Sequence, residues 1–99
     1  MRVVLSGEAR ADLREIALYI ARDNKIRARS FVRELQAKAH DVGEMPRAFP
    51  LIPRYEHHGI RRRPFRDYLI FYRIDDDRIS IVRIVHGAWD YEALLFPDE

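Results

Sequence analysis

Apolar residues recur along the chain with two spacings, and the change of spacing marks the elements. Residues 2–5 alternate weakly and include β-branched side chains, which predicts a short first strand, with Ser6 placed to cap a helix behind it. From about Gly7 to Arg22, Ala9, Leu13, Ile16, Ala17 and Ile20 form one apolar stripe at helical spacing, while Arg10, Asp12, Arg14 and Glu15 lie off it. Asp23-Asn24 interrupts the pattern. A second helix, roughly Lys25 to Val42, carries Ala28, Phe31, Val32, Leu35, Ala39 and Val42 at the same spacing and ends near Gly43, a favourable terminator. Two amphipathic helices with a short break between them form a helical hairpin.

The period then changes. Met45 to Pro53 holds Pro46, Pro50 and Pro53, which fix φ and remove donors, so this stretch is an irregular connection within one domain. Gly59 to Arg66 reads as an edge strand, because Pro64 cannot donate to ladders on both sides. Tyr68–Ile74 and Ile79–Val85 are rich in aromatic and β-branched residues and flank Asp75-Asp76-Asp77-Arg78, a hairpin turn. Pairing Ile74 with Ile79 puts Tyr68, Ile70, Tyr72, Ile81, Arg83 and Val85 on one face. Leu69, Phe71, Arg73, Ser80, Val82, Ile84 and His86 fall on the other. Both faces are largely apolar, whereas a sheet with one wet face alternates polar and apolar residues. The helical hairpin covers one face, so the second is covered by the C-terminal segment, the proline-rich connection or another chain.

The chain has 99 residues, 47% hydrophobic and 34% charged, a globular composition for one α+β domain spanning residues 1–99. With no Cys, it has neither disulfides nor a thiolate nucleophile, and a reducing compartment fits. The apolar run at residues 1–6 is too short for a signal peptide and no stretch approaches a membrane helix, so the expected location is the cytoplasm. The net charge is only +2, but 16 of the 18 basic residues are Arg, whose planar fork grips carboxylates, phosphates and aromatic faces. Arg54, Arg61, Arg62, Arg63, Arg66 and Arg73 stand against only Glu56 and Asp67 in that stretch, which predicts a basic patch. On an extended strand Arg61 and Arg63 share one side and Arg62 takes the other.

Candidate chemistry is sparse. His86 beside Gly87 needs a substrate proton and a partner on its second nitrogen to act as a base, and the sequence displays neither. His57-His58 beside Glu56 is expected to hold no metal, since adjacent side chains in a loop diverge and no third ligand stands at a useful spacing. Asp75-Asp76-Asp77 lacks the glycine and terminal glutamate of a calcium loop. Arg83 lies among apolar neighbours and requires a carboxylate partner within the fold. Trp89, Tyr91, Leu94, Leu95 and Phe96 concentrate apolar area near the C-terminus, either to dock over the sheet or to form a contact surface. There is no Gly-rich phosphate loop, paired-carboxylate motif or nucleophilic-Ser motif, and no cofactor is expected.

The order of elements, with Ala11-Asp12-Leu13-x-x-Ile16-x-x-Tyr19-Ile20, Ala28-x-x-Phe31, Gly59-Ile60-Arg61, Tyr68-x-Ile70-x-Tyr72 and Ile81-x-Arg83-x-x-His86-Gly87-x-x-Asp90, resembles the ParE branch of the RelE/ParE toxins of type II toxin–antitoxin modules. These points span about residues 2 to 95. The resemblance implies an N-terminal strand and two-helix hairpin packed on a small, mainly antiparallel sheet, and a plasmid-stabilising toxin neutralised by a ParD-like antitoxin. ParE-type relatives poison DNA gyrase by binding, with no catalytic residues, whereas RelE-type relatives cut mRNA in the ribosome with basic residues. Leu69 and Trp89 stand where the nuclease relatives carry charge, which favours gyrase poisoning. A nuclease would use Arg61, Arg63 and His86, and a harmless basic interaction module is the third class. The expected antitoxin surface is the face of Leu69, Phe71, Val82 and Ile84, with Arg61, Arg63, Arg66 and Arg73 at its rim. The expected target surface is Trp89, Tyr91, Leu94, Leu95 and Phe96.

Overall fold

A computed structural model describes residues 1–99. Strand β1 (Arg2–Leu5) leads into helices α1 (Gly7–Ala21) and α2 (Lys25–Asp41). A 3₁₀ turn (Glu56–His58) precedes strands β2 (Ile60–Phe65), β3 (Tyr68–Asp75) and β4 (Arg78–His86), and helix α3 (Tyr91–Leu95) follows. Both long helices start at a capping side chain: Ser6 Oγ, as the sequence predicts, accepts the Ala9 N–H, and Asn24 Oδ1 accepts the Arg27 N–H. Gly43 plays a different part from the expected left-handed helix stop, because its φ is not positive. A Cβ there would clash with the Met1 carbonyl oxygen, and the Met1 amino group donates to Gly43 O at 2.7 Å. Gly43 is therefore the point where the chain end crosses the end of α2 at contact distance.

The four strands form one sheet in the order β1-β4-β3-β2, with β1 parallel to β4 and the other pairs antiparallel. β2 is the expected edge strand. Ile52 N–H donates to Ile60 O and Arg62 N–H to Pro50 O, so residues 60 and 62 face the outer side. Pro64 shares their parity, so its missing donor leaves the β2–β3 ladder intact. The β3–β4 hairpin turns through Asp76, whose φ is 49°, and pairs Ile74 with Ile79 as the sequence predicts.

The register does not continue unbroken. Tyr72 pairs Ile81 but Phe71 pairs Arg83, so β4 holds one extra residue at Val82. The extra residue inverts the alternation beyond it. Ile84 joins the core beneath the helices, with Ile70, Tyr72, Ile79, Ile81, Leu13 and Leu35, and Val85 moves to the opposite face. The predicted grouping of Leu69, Phe71, Val82 and Ile84 is thus corrected, Val85 standing in the place given to Ile84.

The second face is covered by the chain itself. Ile52 from the proline-rich connection and Phe96 from the C-terminal segment close over Ile60, Phe71 and Val85, with Tyr55, Leu69, Val82, Tyr91 and Leu95 packed around them. Phe71 and Val85 are buried and Leu69 and Val82 partly so, which leaves no open apolar face for another chain to cover. The C-terminal residues supply that cover because each large side chain withdrawn from water contributes about 1.5–3 kcal/mol. No helix is long and apolar enough to cross a membrane.

Candidate functional site

Alternation along β2 divides its three consecutive arginines as predicted. Arg61 reaches the helix side, where its guanidinium donates to Phe49 O at 2.7 Å, and Arg63 donates to Lys38 O in the last turn of α2 at 3.1 Å. Arg62 takes the opposite side and donates to the Tyr91 hydroxyl at 2.7 Å. None of the three meets a carboxylate, although Arg66, Arg73 and Arg83 all do. Carbonyl and hydroxyl acceptors leave the charge un-neutralised, so Arg61 and Arg63 with Lys38 make the helix-side edge of β2 a cationic strip. Arg63 also lies over the Phe49 ring, 4.9 Å from its centre. The hydroxyl of Tyr72, pushed up by burial against the lowering influence of Arg61 and Arg63, stays neutral and donates to Pro46 O at 2.8 Å.

The remaining rim residues are committed elsewhere. Arg73 is paired with Asp75 at 2.8 Å, and Arg66, held at a φ of 53° in the β2–β3 turn, stands 3.9 Å from Glu34. Arg73 and Ser80 hold the Asp75 carboxyl below the usual carboxylate range, since both donate to it.

At the bulge, α1 completes what β1 leaves open. β1 ends beside Ile81, and beyond it Ser6 Oγ donates to Val82 O at 3.0 Å. Asp12, six residues further along the chain, accepts from Arg83 Nε at 2.8 Å, from Arg83 Nη2 at 2.9 Å and from the Ile84 N–H at 2.8 Å. This is the carboxylate that Arg83 required. The pair is 19% and 13% exposed, and the Asp12 hydrogen bond pushes the Arg83 guanidinium further up. Sequence reading left Asp12 unassigned because it sits off the apolar stripe.

His86 ends β4 with its ring edge-on to Tyr68, 5.3 Å between centres, and its Nδ1 accepts the Ala88 N–H at 3.0 Å. No carboxylate stands against it. His86 pairs Tyr68, and Tyr68 pairs Phe65 across the next ladder. Strand spacings therefore place His86 Cα on the order of 11 Å from that of Arg63 and farther from Arg61. The Cα atoms of the three candidate nuclease residues are thus spread along the sheet, and no hydrogen bond joins their side chains.

The C-terminal segment separates into buried and exposed parts. Phe96 is 4% exposed and stacks on Tyr55 at 4.2 Å, while Tyr91 packs on Phe71 at 5.1 Å and Leu95 is half-buried. Only Trp89, at 57%, and Leu94, at 39%, present substantial apolar area. Of the five residues expected to form a target surface, these two are the exposed ones, and Tyr91, Leu95 and Phe96 pack against the sheet's second face. The same segment folds Glu99 onto the 3₁₀ turn, where Glu99 Oε1 lies 3.1 Å from His57 Nε2 and 2.6 Å from His58 Nε2. The adjacent histidines converge, contrary to expectation, and the third ligand-type group comes from 41 residues away along the chain.

A family model described as "ParE toxin of type II toxin-antitoxin system, parDE" matches residues 3–91. The chain belongs to the ParE toxin family. Among solved structures it is similar to a chromosomal ParDE toxin–antitoxin system from P. aeruginosa, at TM-score 0.67 and 20% identity over 87% of this chain and 95% of that one. It is also similar to the RelBE2 toxin–antitoxin complex from Mycobacterium tuberculosis, at TM-score 0.63 and 24% identity over 86% and 95%. No curated protein matches the chain. The architecture of this ParE-family toxin is thus the α+β arrangement that the resemblance implied. The match includes the Asp12–Arg83 pair, the β2 arginines and Trp89, and ends before Leu94, Phe96 and Glu99.

Proposed function

We propose that this ParE-family toxin acts by binding rather than by catalysis, with DNA gyrase as its target and a ParD-like antitoxin as its inhibitor. One observation carries the reading: Arg61, Arg63 and His86, the residues a nuclease would use, are spread along the sheet with no hydrogen bond among them. Arg61 and Arg63 donate to backbone carbonyls, and the Nδ1 of His86 is taken by the Ala88 N–H. General acid–base cleavage needs a proton donor and acceptor within hydrogen-bond reach of one phosphodiester, and a contact surface needs no such pair. Exposed Trp89 and Leu94 supply an apolar contact near the end of the sheet. The cationic strip of Arg61 and Arg63 suits an acidic antitoxin segment, and the solved relatives are themselves toxin–antitoxin systems. A gyrase target places the toxin in the cytoplasm.

A ribosome-dependent mRNA endonuclease is the second reading, favoured by the likeness to the RelBE2 complex and by the un-neutralised arginines. One comparison separates the two. Purified toxin is added to a gyrase supercoiling reaction and, separately, to a purified translation system. The expected result is loss of supercoiling with intact mRNA, and Trp89→Ala weakens the inhibition roughly thirtyfold, the effect of losing a contact worth about 2 kcal/mol. Codon-specific mRNA cutting with unaffected gyrase would reverse the assignment.

A further inference from the structure

We propose that His57, His58 and Glu99 form a site for a borderline divalent transition-metal ion, zinc in the first instance, that fastens the C-terminal segment to the 3₁₀ turn before β2. The ligand-type atoms of the three side chains lie within 4.8 Å of one another. A tetrahedral zinc ion with bonds near 2.05 Å sets its ligand atoms about 3.3 Å apart. The two contacts to Glu99 Oε1, at 3.1 and 2.6 Å, both lie just inside that spacing, so an ion would part the three groups slightly. The ion needs only small side-chain rotations.

The arrangement is held by packing rather than by chance contact between long side chains. Residues Glu56–His58 form a tight turn closed by Gly59 at a φ of 73°, which aims consecutive imidazoles the same way, their centres 4.4 Å apart. From the other direction, Phe96 is inserted between Tyr55, at 4.2 Å, and His58, at 4.5 Å. The Glu99 N–H donates to Phe96 O at 3.2 Å, which fixes the reach of its carboxylate.

The donor set determines the class of ion. Two imidazole nitrogens and one carboxylate oxygen suit zinc, copper and nickel, whereas magnesium and calcium favour all-oxygen shells. Three protein ligands leave at least one position for water. An ion at this site would join residues 57 and 58 to residue 99 and pin the cover over Phe71 and Val85. Occupancy would then set how readily the second core opens.

The test uses the tag-free, chelator-treated full chain titrated with zinc chloride by calorimetry, with the histidine rings followed by NMR. The expected result is one saturable site per chain, with the His57 and His58 ring signals shifting and no response to magnesium chloride. His57→Gln, His58→Gln and Glu99→Gln should each weaken binding by at least about tenfold, the loss that even outer partners of a metal site produce. His40→Gln and His86→Gln should leave it unchanged. Zinc should raise the melting temperature of the unsubstituted chain and not that of the His57→Gln/His58→Gln double variant. All three residues are partly or largely exposed, so metal-free melting of each variant verifies that it folds. Absence of saturable binding, or full binding retained by any one of the three variants, overturns the proposal.

Discussion

Replacing Asp12 with Ala removes one carboxylate and three hydrogen bonds from the point where β4 bulges. Arg83 loses acceptors at 2.8 and 2.9 Å, and the Ile84 N–H loses its acceptor at 2.8 Å. Stranding one member of a fully buried pair costs about 3–5 kcal/mol, and an orphaned buried N–H about 1–3 kcal/mol. Both losses pass through the same carboxylate and do not add, and the 19% exposure of Arg83 admits some water, so the total is about 3 kcal/mol. For a domain of this size that lowers the melting temperature by roughly 12–24 °C. Asp12→Asn keeps an acceptor for Ile84 while losing the charge, and should cost about 1.5 kcal/mol. The exposed Arg54–Glu92 pair, 2.9 Å apart, is the control, and Arg54→Ala should cost under about 1 kcal/mol. Urea unfolding followed by circular dichroism gives each value from the midpoint at unchanged slope. If Asp12→Ala proves no worse than Arg54→Ala, the pair does not hold the bulge and the reasoning fails.

Phe96→Ala should cost about 3–4 kcal/mol in a chemical melt and increase binding of a hydrophobic dye, because it empties the second core. A wild-type melt would show that the segment is mere surface. Gly43→Ala should destabilise by about 1–3 kcal/mol through the clash with Met1 O. Gly59→Ala meets no atom nearer than 3.8 Å and bears only the strain of its positive φ, about 1–2 kcal/mol, so thermal melts should rank it at or below Gly43→Ala. Asp75 and Glu99 have folded pKa values below their ordinary 3.8 and 4.5. Their stabilisation is complete above those ordinary values and is lost as pH falls through the lower folded values. Ser80→Ala removes one cause of the Asp75 shift, so its stability deficit at pH 7 should shrink in acid, and a deficit independent of pH would refute this.

Much of the architecture is local in origin and readable from residue order. The helical stripes of Ala9-Leu13-Ile16 and Phe31-Leu35-Ala39, the cap Ser6, the edge position of the strand bearing Pro64 and the Ile74–Ile79 hairpin each follow from periodicity, capping or a missing donor. Arg83 likewise announced that it needed a carboxylate, because a cation in an Ile- and Val-rich strand is untenable alone. Which carboxylate was a tertiary matter, decided where β1 stops and α1 brings Asp12 to the open edge of β4. The bulge at Val82 belongs with it. Both faces of the hairpin are apolar, so a shift by one residue leaves the pattern equally hydrophobic, and only the docking of Ser6 and Asp12 selects the register in which Ile84 enters the helix-side core. The sequence named the C-terminal segment and the proline-rich connection among the possible covers of the second face, but the choice among them and the meeting of His57 and His58 with Glu99 were tertiary matters too. They depend on Phe96 finding Tyr55 across the fold, a contact between distant segments that no local period encodes.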